Sequence, residues 1–222
     1  CVTELNSDNG TAKGTRFATY KYNAAANGTS GDLNPTNTAY FPPAGTGISQ
    51  GDTYKAVAMA VDAAGNIYFV SLRSYLQNLA KIHRGRFDDG VVTDVVPLTT
   101  LTRGIPGEVN FDVDVSSDGS VMYFVDGLFT GGPVPAAANL AVAIRGPDGV
   151  FRRVADDGLD AVNTGALEYA AALSIDGLEL FFTRIVNGTP AIYRAVRATA
   201  ATPWETAKRV DAITGFVEAP AL

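Results

Sequence analysis

An all-β chain built of repeated four-stranded antiparallel units is the fold class the sequence predicts, and three observations predict it. The first is Tyr169 to Arg197, which reads as three strands with both turns written in. Ser174-Ile175-Asp176-Gly177 is a tight turn, because Asp bonds its own backbone and Gly accepts positive φ. Asn187-Gly188 is a hairpin turn, since a type I′ turn needs φ > 0 at both central residues. The second observation is that this unit recurs. Val57 to Val70 and Phe111 to Val125 each carry an apolar strand, a Gly turn and an aromatic pair. The turn glycines Gly65, Gly119 and Gly177 lie 54 and then 58 residues apart. The third is that a further strand follows each pair. Asn78–Arg84 aligns with Asn139–Arg145 and with Ala191–Arg197. Fourth strands are expected at Val91–Leu98, Val150–Ala155 and Ala207–Ile213.

Four short strands per repeat describe a β-propeller, whose blades bury their faces against their neighbours. The expected blades cover about 54–109, 110–167 and 168–217, inside one domain over 16–222. Residues 218–222 read as the start of a further blade, or as a strand closing one with the N-terminal segment. Residues 1–15 are polar and read as a flexible tether. Arg16 to Asn23 alternates aromatic and polar residues and reads as a strand. The Gly- and Pro-rich stretch 24–52 reads as a loop or an irregular blade.

The pattern S-x-D-G-x-x-x-F-F, I-Y-x-x-x-R, then Pro203-Trp204 and Glu218-Ala219-Pro220, resembles the TolB-type (WD40-like) propeller repeats of bacterial envelope proteins. The first blade, with VDAAGNIYFV, is closer to NHL-type repeats. The resemblance implies a periplasmic or extracellular-face protein, with proteins of a membrane or envelope complex as partners.

Composition narrows the function. No apolar run approaches the ~18 residues of a membrane-spanning helix. A net charge of −6 without a basic stripe argues against nucleic acid. The lone cysteine, Cys1, excludes an internal disulfide and a two-Cys zinc site. A first-position cysteine followed by a polar stretch has the form of a mature bacterial lipoprotein, so a lipid on Cys1 would be the one route to the membrane.

Few residues carry chemistry. The single histidine, His83, lies in a third strand and is expected to be structural. Asp112 and Asp114 replace the alanines of the other two blades, Ala58 and Ala60 or Ala170 and Ala172. Two apart on an inner strand, they share a face and are expected to line the central channel, where they would bind a cation or a basic group. Arg84, Arg145 and Arg197 are expected to hold loops. Asp62, Asp118 and Asp176 are expected to form turns. The Asp-Asp-Gly loops at 88–90 and 156–158 lack the ligand spacing of an EF-hand, so no cofactor is expected. Three Asn-Gly-Thr sequons, at Asn9, Asn27 and Asn187, read as turns in preference to glycosylation sites. The expectation is a non-catalytic interaction or scaffold protein of the envelope. The alternative is a propeller enzyme or binding protein acting on glycans through the channel mouth, with Asp112 and Asp114 as its carboxylates.

Overall fold

The computed structural model describes residues 2–5, 15–21, 34–41, 55–72, 81–88, 91–131 and 134–222, with side chains over 60–70, 82–86, 93–131 and 134–222. Cys1, Asn9, Asn27 and Gly90 lie outside the described residues. Strands β1 (Val2–Leu5), β2 (Thr15–Lys21) and β3 (Asn34–Phe41) form an antiparallel three-stranded sheet. Residues 2–5, part of the expected tether, are therefore strand, and so is the middle of the expected loop. Blade one is β4 (Lys55–Val61), β5 (Asn66–Leu72), β6 (Lys81–Asp88) and β7 (Val91–Pro97), paired in chain order. Blade two is β8 (Glu108–Val115), β9 (Val121–Leu128), β10 (Ala137–Arg145) and β11 (Phe151–Arg153). Blade three is β12 (Leu167–Leu173), β13 (Glu179–Val186), β14 (Thr189–Val196) and β15 (Lys208–Arg209). One parallel pair, Ala138 with Leu167, links blades two and three.

The aromatic pairs explain how the blades stack. Neighbouring residues on a strand point to opposite faces, so each pair sends one ring each way. Phe124 packs with Met122, Tyr68 and Val70 in the core between blades one and two. Tyr123 packs with Val125, Leu180, Phe182 and Trp204 in the core between blades two and three. Tyr68 meets Phe151 edge-on at 5.7 Å, and Tyr123 meets Trp204 likewise at 6.3 Å. Each fully buried aromatic side chain contributes roughly 2–3 kcal/mol relative to exposure.

The turns form as the residues dictate, with one shift. Ser116 and Ser174 hydroxyls donate to Asp118 and Asp176, both at 2.6 Å, and those carboxylates accept the next backbone N–H groups. In blade one Asp62 occupies the place of the serine instead. Its Oδ1 accepts Asn66 N–H at 2.9 Å and Ala64 N–H at 3.0 Å. Asp62 N–H bonds Asn66 O, whereas Ser116 N–H bonds Val121 O, so the first turn is one residue shorter. Asn187 and Gly188 have φ of +53° and +78°, as a type I′ turn requires.

Pairing also corrects the arginine alignment. Tyr68 lies opposite Arg84, and its counterpart Tyr123 lies opposite Val142. Arg145 and Arg197 are equivalent, but Arg84 stands three residues earlier. All three nonetheless hold loop carbonyls: Arg84 and Arg145 both donate to Gly149 O, at 3.5 and 3.3 Å, and Arg197 donates to Gly177 O at 2.8 Å.

Residues 216–222 make no strand. They cross the face of blade three where Thr183 lies, and Ala219 N–H donates to Thr183 Oγ1 at 2.9 Å.

Candidate functional site: the mouth between the inner strands

The inner strands β4, β8 and β12 each carry a β-bulge near the middle, at Ala56/Met59, Phe111/Asp114 and Tyr169/Ala172. A bulge inserts an unpaired residue and re-aims the strand. Asp112 sits at φ +45° and Ala170 at φ +52° within these bulges. Asp tolerates this left-handed conformation better than Ala does.

Strict alternation, from which a shared face was expected for Asp112 and Asp114, is therefore interrupted between them. Both residues still line one cavity of about 690 Å³, together with Ala60, Ala172, Ser174 and the C-terminal residues Ala219–Leu222. Asp114 Oδ2 accepts Leu173 N–H at 2.7 Å. Burial raises the Asp112 carboxyl to about 6, against a hydrogen bond from the Ala170 N–H, and the Glu218 carboxylate adds to the rise. Burial raises Asp114 as well, against hydrogen bonds from Leu173 and Val115 N–H. Tyr169 is held protonated, chiefly by burial and then by the facing Glu218 carboxylate.

Among the described residues, the cavity wall carries no Lys or Arg side chain. Its rim is apolar, with Ile175 91% exposed, Leu222 73% and Val61 46%. An acidic interior inside an apolar rim suits a basic side chain flanked by apolar ones. Among the described residues, no group of three or more His, Cys, Asp or Glu is placed to hold a metal ion.

His83 is stacked on Phe69 across the strand pair at 5.6 Å and 17°. Phe182 and Tyr193 stack at the matching place in blade three, at 6.0 Å and 27°. His83 thus fills a structural position.

Sequence reasoning passed over Glu218 and a set of buried polar pairs. Asn110 Nδ2 donates to Asp126 Oδ1 at 2.6 Å in blade two, and Arg184 Nε donates to Glu168 Oε1 at 2.8 Å in blade three. The two pairs occupy the same cross-strand position, as Asn110 lies opposite Asp126 and Glu168 opposite Arg184. In blade one that position holds Ala56 and Ser71. The signal available in the sequence was a polar residue, Asn110 or Glu168, two places before each bulge residue, Asp112 or Ala170.

No protein-family model matches the chain, and no curated protein matches it. Among solved structures, the chain resembles one of a nidogen/laminin complex at TM-score 0.52 and 10% identity, over 89% of this chain and 57% of that one. The likeness is one of fold. The fold is that of β-propeller blades. TolB from Acinetobacter baumannii matches at TM-score 0.42 and 20% identity, over 71% of this chain and 32% of that one. A gluconolactonase from Xanthomonas campestris matches at TM-score 0.43 and 22% identity, over 71% and 48%. The chain spans from a third to just over half of the length of these structures. No described helix is long and apolar enough to cross a membrane.

Proposed function

We propose that this protein is a non-catalytic, propeller-type interaction module of the bacterial cell envelope. It docks a partner protein by taking a basic side chain into the mouth between its inner strands. The observation that carries this reading is the 690 Å³ cavity with Asp112 and Asp114 on its wall and Ile175, Leu222 and Val61 around it. Charge gives such a contact its on-rate and specificity, and the apolar rim supplies the buried area.

The envelope assignment rests on the TolB-type repeat pattern, and the anchor would be a lipid on Cys1 at the periplasmic or extracellular face. Its partner would belong to a membrane complex.

The test is photo-crosslinking in intact host cells from an unnatural residue replacing Ile175. The expected result is a crosslink to a single membrane-associated protein that disappears when Asp112 and Asp114 are both changed to Asn. A crosslink indifferent to the two substitutions, or no crosslink, overturns the reading. Intact mass of the detergent-extracted protein tests the anchor separately: a lipidated Cys1 adds a diacylglycerol and an acyl chain to the chain mass.

A further inference from the structure

A second cavity, of about 620 Å³, opens at the end of the blades away from the Asp-Gly turns. It lies between blade two and the segment that leads from β11 into β12. Its polar wall includes Arg103, Asp126, Asn139, Arg153, Asp157 and Asn163.

Most of these groups are fixed. Arg153 is paired with Asp126, donates to Leu101 O at 2.7 Å, and lies over the Phe124 ring at 5.1 Å. Arg103 donates to both Glu108 oxygens and stands 3.7 Å from Asp126. Asn163 gives its whole amide to Leu140: Oδ1 accepts Leu140 N–H at 2.8 Å, and Nδ2 donates to Leu140 O at 2.9 Å. The wall is therefore preorganised, with its side chains locked by their own partners.

Hydrogen-bonding capacity is left over inside it. The half-buried Asn139 amide, on β10 opposite Asp126, makes no side-chain hydrogen bond among the described residues. Asp157 uses one oxygen, on Leu159 N–H at 3.1 Å, and leaves the other. Arg103 leaves Nη1 unused. The cavity thus offers an amide that both donates and accepts, a carboxylate acceptor and a guanidinium donor.

Both wall arginines are already neutralised, Arg153 by Asp126 and Arg103 by Glu108, so no free positive charge is left to hold an anion. The groups left over are an amide and a carboxylate oxygen, and vicinal hydroxyls, which each donate and accept, match them. The volume lies within the ~300–1,000 Å³ range of small-molecule pockets.

We infer that the cleft between blade two and the β11–β12 segment binds a neutral saccharide, with Asn139 and Asp157 reading adjacent hydroxyls. This site is separate from the inner-strand mouth and does not depend on the interaction reading.

The experiment is saturation-transfer-difference NMR followed by calorimetry with glucose, N-acetylglucosamine, cellobiose and chitobiose as probes. Glucuronate and glucosamine serve as charged controls. At least one neutral probe is expected to bind, more tightly than its charged counterpart. Asn139→Leu, which removes both hydrogen-bonding atoms, should weaken that binding by about tenfold or more. Should Asn139→Leu fail to fold, Asp157→Asn is the second variant. It keeps an acceptor for Leu159 N–H and should weaken binding by several-fold. Failure of every neutral probe to bind overturns the inference. So does tighter binding of a charged control, or affinity that survives the substitution.

Discussion

Asp114 Oδ2 accepts the Leu173 backbone N–H at 2.7 Å, so a carboxylate on the inner strand of blade two ties down the inner strand of blade three. The carboxylate thus has a structural task as well as a place on the cavity wall. Asp114→Ala leaves the Leu173 N–H without its acceptor and should lower stability by about 1–3 kcal/mol. Asp114→Asn keeps an oxygen there and should cost less than about 1 kcal/mol. Urea denaturation of the three proteins separates these outcomes.

Asp112 gives stability a pH dependence of definite sign. Its folded-state pKa, about 6, stands above the unfolded value of 3.8, chiefly because burial disfavours the charged form. The contribution to folding is therefore whole below pH ~4 and is lost as pH rises through ~6. Glu218 faces the same group and pushes in the same direction. Asp112→Asn should raise stability at pH 7.5 by on the order of 2 kcal/mol and change it little at pH 4. Thermal unfolding across pH 4–8 measures this, and a flat difference between the two proteins would refute it.

Gly119 holds two blades together by lacking a side chain. At φ +70°, a Cβ would fall 2.6 Å from Asp62 Oδ2. That oxygen cannot move freely, because it accepts Asn66 Nδ2 at 2.7 Å and the Tyr68 hydroxyl at 3.0 Å. Gly119→Ala should cost at least about 2 kcal/mol, the sum of backbone strain and a displaced network. Gly188 is the control: its φ is +78°, yet nothing lies within 4 Å of an added Cβ. Gly188→Ala should cost only the left-handed backbone term, about 1 kcal/mol.

The buried Glu168–Arg184 pair should behave asymmetrically. Glu168 also accepts the Thr164 hydroxyl at 2.5 Å, and Arg184 also donates to Val162 O at 2.6 Å. Glu168→Ala strands a guanidinium that is 9% exposed and should cost about 3–5 kcal/mol. Glu168→Leu with Arg184→Met removes both charges and should recover a large part of that loss. Comparing the single and double variants in guanidinium unfolding decides it.

Much of the fold was legible in the sequence, because its signals are local. Asp-Gly and Asn-Gly turns, the aromatic pairs and the period between glycines depend on backbone conformations and alternation that a few consecutive residues fix. Those rules placed the twelve strands of the three blades near where they lie. They also singled out Asp112 and Asp114, since an acid replacing an alanine in a repeat is visible without coordinates.

What tertiary structure alone decided concerns pairing between distant residues. A turn one residue shorter in blade one put Asp62 in the place of Ser116, and the separate β5–β6 register, which sets Arg84 opposite Tyr68, left Arg84 three residues before the position of Arg145. The bulges that re-aim Asp112 have no turn signature, because they answer to the packing of neighbouring inner strands. The run Phe216–Leu222 has strand-like composition but crosses the face of blade three without pairing. Composition reports what a segment can bury; only the neighbours present in space determine which backbone groups it meets.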